Sequence, residues 1–416
     1  MPGDLPRHTS VTQYGITWTF DKEVPVGQFI TGDYYVVGPV TITAISPAPE
    51  GGRNGSMLNP PTTQQSAYDS RIGGYKVELL AKPPVQMKPG DSLVSTISHE
   101  SARQKHIYPH FERSSSVLKT AAVLTCLAKA VPADTFRPSY CGPKDKFRRY
   151  ADLDVSLLPS VKRPKSIPDL ALYERIFQRP WIDHTFTWIG RVTHPTDNMP
   201  DYGREISRAV SEASLLLMCD FKPDEKKKLL TGLVQYGIDL WGVVQAGGGW
   251  RANGGHGSGR KWPILLAGIL LKDEAMQEPK AQFGEDEQTY YGKGFYGATA
   301  LWRIVRRTGL RGEHEHLPPS EYPDQMMAEG YRRCCTSLSW VGTALSARMM
   351  HAEKVWNHPA YFDYIDRWMT EDESKQIADI KAHYGKAPSI RQGETWSKFV
   401  TEMWQTYRQN LPPLKN

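Results

Sequence analysis

Residues 247–263 read GGGWRANGGHGSGRKWP, with seven glycines, two arginines, two tryptophans and a single histidine, His256. Glycine permits positive φ and close backbone approach. Such a dense set between two apolar segments therefore reads as a built turn that carries function. Arg260 and Lys261 add positive charge just beyond His256. The plain alternative is a flexible loop with a surface histidine. Tryptophans at both ends and glycines on each side of His256 count against it.

Three more polar clusters fall between apolar-periodic segments. Residues 194–204, HPTDNMPDYGR, offer Asn198, Tyr202 and Arg204. Helix capping accounts for one Asp or Asn there, not for the whole set. Residues 284–296, GEDEQTYYGKGFY, carry Tyr290, Tyr291 and Tyr296. Residues 314–322, followed by Tyr331-Arg332-Arg333, supply His316 and Arg333 as substrate-binding, supporting or purely structural groups. Trp356-Asn357-His358 reads as a further support.

These residue types discriminate between reactions. Glycoside hydrolysis needs two carboxyl groups at a set separation. Asp197, Glu285 and Asp286 keep that alternative open. A serine nucleophile elbow is absent, because Gly257 and Gly259 flank Ser258 directly instead of at the G-x-S-x-G spacing. No H-E-x-x-H occurs, and His314 and His316 lie only two apart, so neither metal nor cofactor is expected. No glycine fingerprint for a nucleotide follows any candidate strand.

Asn, His, Tyr and Arg suit β-elimination from a uronic acid. Removing the C5 proton builds negative charge on the neighbouring carboxyl group, which hydrogen-bond donors or cations stabilise. Asn donates without titrating, and Arg stays charged. A His or Tyr takes the proton, and a Tyr hydroxyl protonates the departing O4. A Tyr acting as base needs a lowered pKa, which a nearby Arg would provide.

The elements that must position these groups fall into two parts. Residues 11–145 look β-rich: 14–20 (YGITWTF) and 34–45 alternate, 75–80 and 92–97 are shorter candidates, and Gly and Pro clusters punctuate them. Residues 48–63 read as an exposed loop, and 118–130 fits strand or helix. From about residue 166 the period becomes helical, at 167–176, 205–218, 224–244 and 264–271, then 297–307, 339–350, 359–369 and 395–409. In the last, Trp396, Phe399, Val400, Met403, Trp404 and Tyr407 form a stripe that reads as core. A bundle, a solenoid or a ring of hairpins would fit. Polar groups recurring in the connections favour a ring with its site at one rim.

The chain has 416 residues, 23% charged and 39% hydrophobic, as suits a globular protein. A net charge of +6 is too small to argue for nucleic acid, yet is compatible with an anionic polysaccharide. Twelve tryptophans and twenty tyrosines can build core or stack on sugars. No apolar run approaches the roughly 20 residues of a membrane span, so no membrane partner is expected. The opening MPGDLPRHTS lacks the apolar core of a secretory signal. Cys126, Cys141, Cys219, Cys334 and Cys335 make no disulfide framework, and the adjacent pair reads as packing.

Several motifs together resemble a known family. HPTDNMPDYGREISR, W-x-x-N-G-G-H-G-x-G-R-K-W-P, GEDEQTYY, YRRCCTSLSW, WNHPAYFDYIDRW and the N-terminal YGITWTF and GDYYVVGPVTI are similar to the helical-toroid polysaccharide lyases of family 38, which act on alginate and glucuronan. The likeness covers most of the chain. It implies a mainly α fold: an (α/α) toroid over residues 151–416 with a β-rich N-terminal extension over 1–150. It also implies metal-independent elimination that leaves 4,5-unsaturated uronosyl ends. Asn198 then matches the carboxylate-neutralising Asn. His256 matches the catalytic His, as base or neutraliser depending on the epimer. A Tyr of the third cluster matches the acid, Tyr291 being preferred, with Tyr290 and Tyr296 as alternatives. Arg204 and Arg260 are expected near the carboxylate on chemical grounds, with Tyr202, Tyr290, Tyr296, His316 and Arg333 binding substrate. Enzymes of this kind are usually exported, so a secreted or periplasmic location is expected, with a cytoplasmic one open. A glycoside hydrolase acting on an acidic glycan is the alternative, and a non-catalytic glycan-binding module comes third.

Overall fold

The computed structural model describes residues 5–101, 116–185, 187–305 and 311–413. The first strands are β1 (Arg7–Gln13), β2 (Ile16–Gln28), β3 (Tyr34–Val37), β4 (Val40–Ser46), β5 (Ser56–Leu58), β6 (Val85–Met87), β7 (Ser92–Ser98) and β8 (Leu118–Leu127). They form one sheet in the order β5-β7-β8-β3-β2-β4-β6, with β1 paired to β2. Only β3 and β8 run parallel. The β1–β2 hairpin turns on Tyr14 and Gly15, at φ 52° and 83°. Two positive φ values in a two-residue loop match the twist of the flanking strands.

β8 settles the ambiguity of 118–130. Successive side chains of a strand point to opposite faces. Ala121 and Val123 enter the core shared with the helices, whereas Ala122, Leu124 and Cys126 face the sheet's own core with Trp18, Val36 and Ile42. Both faces are covered, which is why the segment reads as an unbroken apolar run.

The helices of eight residues or more are α1 (Leu170–Phe177), α2 (Gly203–Leu217), α3 (Pro223–Gln245), α4 (Lys261–Leu270), α5 (Leu338–Met349), α6 (Pro359–Thr370), α7 (Ser374–Tyr384) and α8 (Lys398–Tyr407). Asp169 caps α1 by accepting from the Ala171 amide at 3.0 Å, and Pro223 opens α3, where a missing N–H costs nothing. A second sheet, β9 (Thr289–Tyr291), β10 (Ala300–Val305) and β11 (Arg311–Glu313), lies between α4 and α5.

The expectation of a mainly α toroid is overturned. The molecule is mixed, 37% helical and 19% strand, with a curled mixed sheet and a separate three-stranded one. Its large sheet is no appendage, because Met57, Val94, Leu118 and Val123 share a single hydrophobic cluster with residues of α1 to α6. Arg137 ties the two parts, its guanidinium 2.8 Å from Asp33 and 2.6 Å from Asp239 of α3, all buried. Burial lifts Asp239 to about 6 even so. The helices do not form a succession of neighbouring hairpins either: α2 packs chiefly on α5, far along the chain. The helix expected over 297–307 is strand β10, and residues 306–307 lie outside the described residues. ALWRIV is too short an apolar run for its period to separate strand from helix. Among the described residues no helix is long and apolar enough to cross a membrane.

Candidate active site

The Gly-rich turn joins α3 to α4 and is held from beneath. Arg260 is buried and donates to both oxygens of Asp183, at 2.8 and 3.1 Å. Its remaining donors reach the carbonyls of His256 (2.7 Å) and Ser258 (2.8 Å). Burial disfavours charge on Asp183, but Arg260 and His194 outweigh it and hold the carboxyl well below the usual range. Tyr236 donates to the same carboxylate at 2.9 Å. On the other side Glu285 accepts from the Gly259 amide at 2.6 Å, and burial lifts its carboxyl to about 7. Arg260 is therefore a clamp on the turn, not the substrate-facing cation expected.

Glycine is required where the turn meets α2. A Cβ on Gly203 would come within 2.2 Å of the carbonyl oxygens of both Gly255 and His256. A Cβ on Gly255 would come equally close to the Cys335 carbonyl. This approach of backbones sets Tyr202, the residue before α2, beside His256. The Tyr202 hydroxyl accepts from the Gly255 amide at 3.1 Å. Burial pushes the phenol up to about 12, so it stays protonated at neutral pH.

Around His256 the rings form a triangle. Trp188 lies 5.6 Å and Tyr202 6.2 Å from it between ring centroids, and these two are 6.3 Å apart. Trp188 is 42% exposed, so this triangle opens to solvent. The Arg191 guanidinium stands 4.7 Å from the Trp188 ring and 5.4 Å from that of Tyr202. It pairs with Asp201 at 3.3 Å, while its buried Nε has no partner. Gly190 lies close to both histidines: a Cβ there would sit 3.7 Å from Nε2 of His194 and 3.9 Å from Nε2 of His256. Arg204 flanks Tyr202 at 5.8 Å, pairs with Glu205 and donates to the Cys334 carbonyl at 3.0 Å.

His256, Tyr202 and Arg204 thus come together, joined by Trp188 and Arg191, which the sequence reading did not single out. Their signal was present in W-I-G-R, an aromatic and a cation three apart just before the 194–204 cluster.

Other expected site residues lie elsewhere. Asn198 is buried and donates to the carbonyls of Arg179 (3.0 Å) and Ile176 (3.3 Å), tying down the end of α1. Its amide cannot neutralise a substrate. Tyr291 is 52% exposed on β9 and donates to Asp363 at 2.6 Å, a bond that pushes its phenol up to about 12. Tyr296 donates to Asp379 at 2.8 Å, and Tyr290 lies under Arg303, 5.0 Å from its ring. His316 is exposed. Arg333 is buried against Glu329 and Glu373, both at 2.6 Å. The carboxylates that a hydrolase would need are engaged separately: Asp197 by Arg179 at 2.7 Å, Asp286 by Lys261 at 2.5 Å, and Glu285 beneath the turn. Cys334 and Cys335, read as packing, are joined in a disulfide between adjacent residues.

Among the described residues no cluster of three or more His, Cys, Asp or Glu side chains is placed to hold a metal ion. No family model, no curated protein and no solved structure matches this chain.

Proposed function

We propose that the protein is a polysaccharide lyase that cleaves 1,4-linked uronic-acid polymers, alginate or glucuronan, by β-elimination at His256. The observation that carries this reading is the convergence of an imidazole, a protonated phenol, a guanidinium and an exposed indole at one edge of the glycine turn. The motif likeness to family 38 lyases points the same way.

In this reading a uronate ring lies against Trp188 with its carboxylate toward Arg191. His256 takes the C5 proton, and that electron pair forms the C4–C5 double bond as C4–O4 breaks. Tyr202 gives its proton to O4 and recovers one from His256 through solvent. Arg191 replaces Asn198 as the group that stabilises charge on the carboxyl, because a cation near a developing enolate lowers its energy most in a site with little water. Tyr202 replaces Tyr291 as the acid. A phenol held near 12 stays protonated at neutral pH, so it is present as a proton donor and not as a base, which leaves the base role to His256.

Polyglucuronate and alginate are the test substrates. Absorbance of the unsaturated uronosyl end should rise with the native protein. His256→Ala and Tyr202→Phe should each lower the rate by roughly 10²–10⁴-fold with the fold intact. Saturated products, or no product from any uronan, would reject the reading.

A further inference from the structure

We infer that Trp396, with Arg204 and Arg208, forms a second sugar subsite, which takes a further uronate unit of the same chain beyond the reacting one. This rests on the proposed reading only in taking the polymer to be a uronan; binding there needs no turnover.

Trp396 does not belong to the apolar stripe of α8. That helix begins at Lys398, with Ser397 as its N-cap, and buries Phe399, Val400, Met403 and Trp404. Trp396 precedes it at φ 59° with its indole 37% exposed. A bulky residue in the left-handed region costs of the order of 1–3 kcal/mol and persists only where its surroundings impose it. They do so here. Thr395 bonds to the Ser397 carbonyl (2.8 Å) and to Thr401 (2.7 Å), and Ser397 donates to Glu212 (2.6 Å). The result is an aromatic face held outward by a buried hydroxyl network.

Two guanidinium groups stand over the ring, Arg204 at 4.5 Å and Arg208 at 4.9 Å from its centroid. Arg204 also stands over Tyr202, so cation and ring contacts link His256 to Trp396. Arg204 has a carboxylate in Glu205, whose charge burial opposes. Arg208 differs. It is only 4% exposed and donates to the Trp396 carbonyl at 3.4 Å. Its buried Nε has no hydrogen-bond partner. One turn along α2, Glu212 receives the hydroxyls of Tyr173 and Ser397. A buried guanidinium whose Nε–H is left unbonded is costly, so an anion arriving at that edge is favoured. An indole face beside such a cation fits a sugar ring that carries a carboxylate. A neutral glycan would leave Arg208 uncompensated.

The test is calorimetric binding of saturated oligoglucuronates of two and six units to His256→Ala protein, with and without Trp396→Ala, both checked for an unchanged melting temperature. The subsite predicts that Trp396→Ala weakens the hexamer about tenfold, near 1.4 kcal/mol, and leaves the dimer unchanged. Arg208→Gln should do the same and flatten the salt dependence. Hexamer affinity within twofold of the parent in Trp396→Ala overturns the inference, as does an equal loss for dimer and hexamer. Trp396-dependent binding without unsaturated ends from the native protein would keep the subsite and remove the lyase reading. Unsaturated ends with Trp396-independent binding would do the reverse, and no uronan binding at all would remove both.

Discussion

Two arginine-rich regions lie far apart in sequence, at 191–208 and at 332–367, and differ in every partner. Around Glu329, Arg332 (2.9 Å), Arg333 (2.6 Å) and His314 (2.7 Å) converge on one buried carboxylate. Glu373 pairs with Arg333 at 2.6 Å, and Glu315 with Arg367 at 2.7 Å. Near His256, Arg191, Arg204 and Arg208 stand over Trp188, Tyr202 and Trp396. In the first region desolvation is offset only because each cation meets carboxylates, and little donor capacity is left for a ligand. In the second, rings cover the flat faces of the guanidinium groups while Nε of Arg191 and Nε of Arg208 stay unbonded. An arginine's role is thus decided by what surrounds it, which its place in a motif does not reveal.

The largest effect should come from breaking the first region. Glu329→Ala strands Arg332, Arg333 and His314 in the interior, and the expected cost is about 3–5 kcal/mol, read as a lowered denaturant midpoint. A loss below 1 kcal/mol would show that the cluster is not structural. In the second region Arg191→Ala removes only the pair with Asp201 and should cost less, about 1–3 kcal/mol, but lower kcat/KM on a uronan by about 10²–10³-fold, the usual size for one donor to a developing anion. Equal losses in both quantities would erase the contrast between the regions.

A third expectation concerns Glu285, which lies beneath the turn. Its folded pKa, about 7, stands above the ordinary 4.5. Its contribution to stability is therefore complete below about pH 4.5 and is lost as pH rises through 7. That loss amounts to about 3 kcal/mol. Glu285→Gln keeps an acceptor for the Gly259 amide and should remove this segment of the stability–pH curve. Identical curves would mean that the carboxyl is hydrated. The smallest effect belongs to Tyr291→Phe, which should change turnover less than about twofold and stability by no more than about 0.5 kcal/mol. A hundredfold loss of turnover would return the acid role to the tyrosine cluster and break the assignment of Tyr202.

Much of the secondary structure was readable locally. The alternation over 14–20 falls in β2 from Ile16 onward, with Tyr14 and Gly15 forming the turn before it, and helices α1 to α4 follow from helical period, caps and punctuating glycines. ALWRIV at β10 fits either period because it is only six residues long, five of them apolar, and only pairing with Tyr290 and Tyr291 decides it. Trp396 was assigned to a helical stripe because its spacing suits one, whereas Ser397 starts the helix after it. The toroid failed for a related reason. Helical periodicity reports that a helix has a buried face but not which element covers it, and here the large sheet shares that cover.

From residue order alone came the turn around His256, its neighbours Tyr202 and Arg204, and the polar classes suited to uronate chemistry. The tertiary structure decided that Asn198 holds backbone carbonyls, that Arg260 clamps Asp183, that Tyr291 answers to Asp363, and that Trp188 and Arg191 border His256. The physical reason is one of range. Propensity, capping and amphipathic period act within a few residues, so they are written in the chain. A hydrogen bond or a stacked ring depends on where distant segments meet, and for a polar side chain that meeting decides between structure and function.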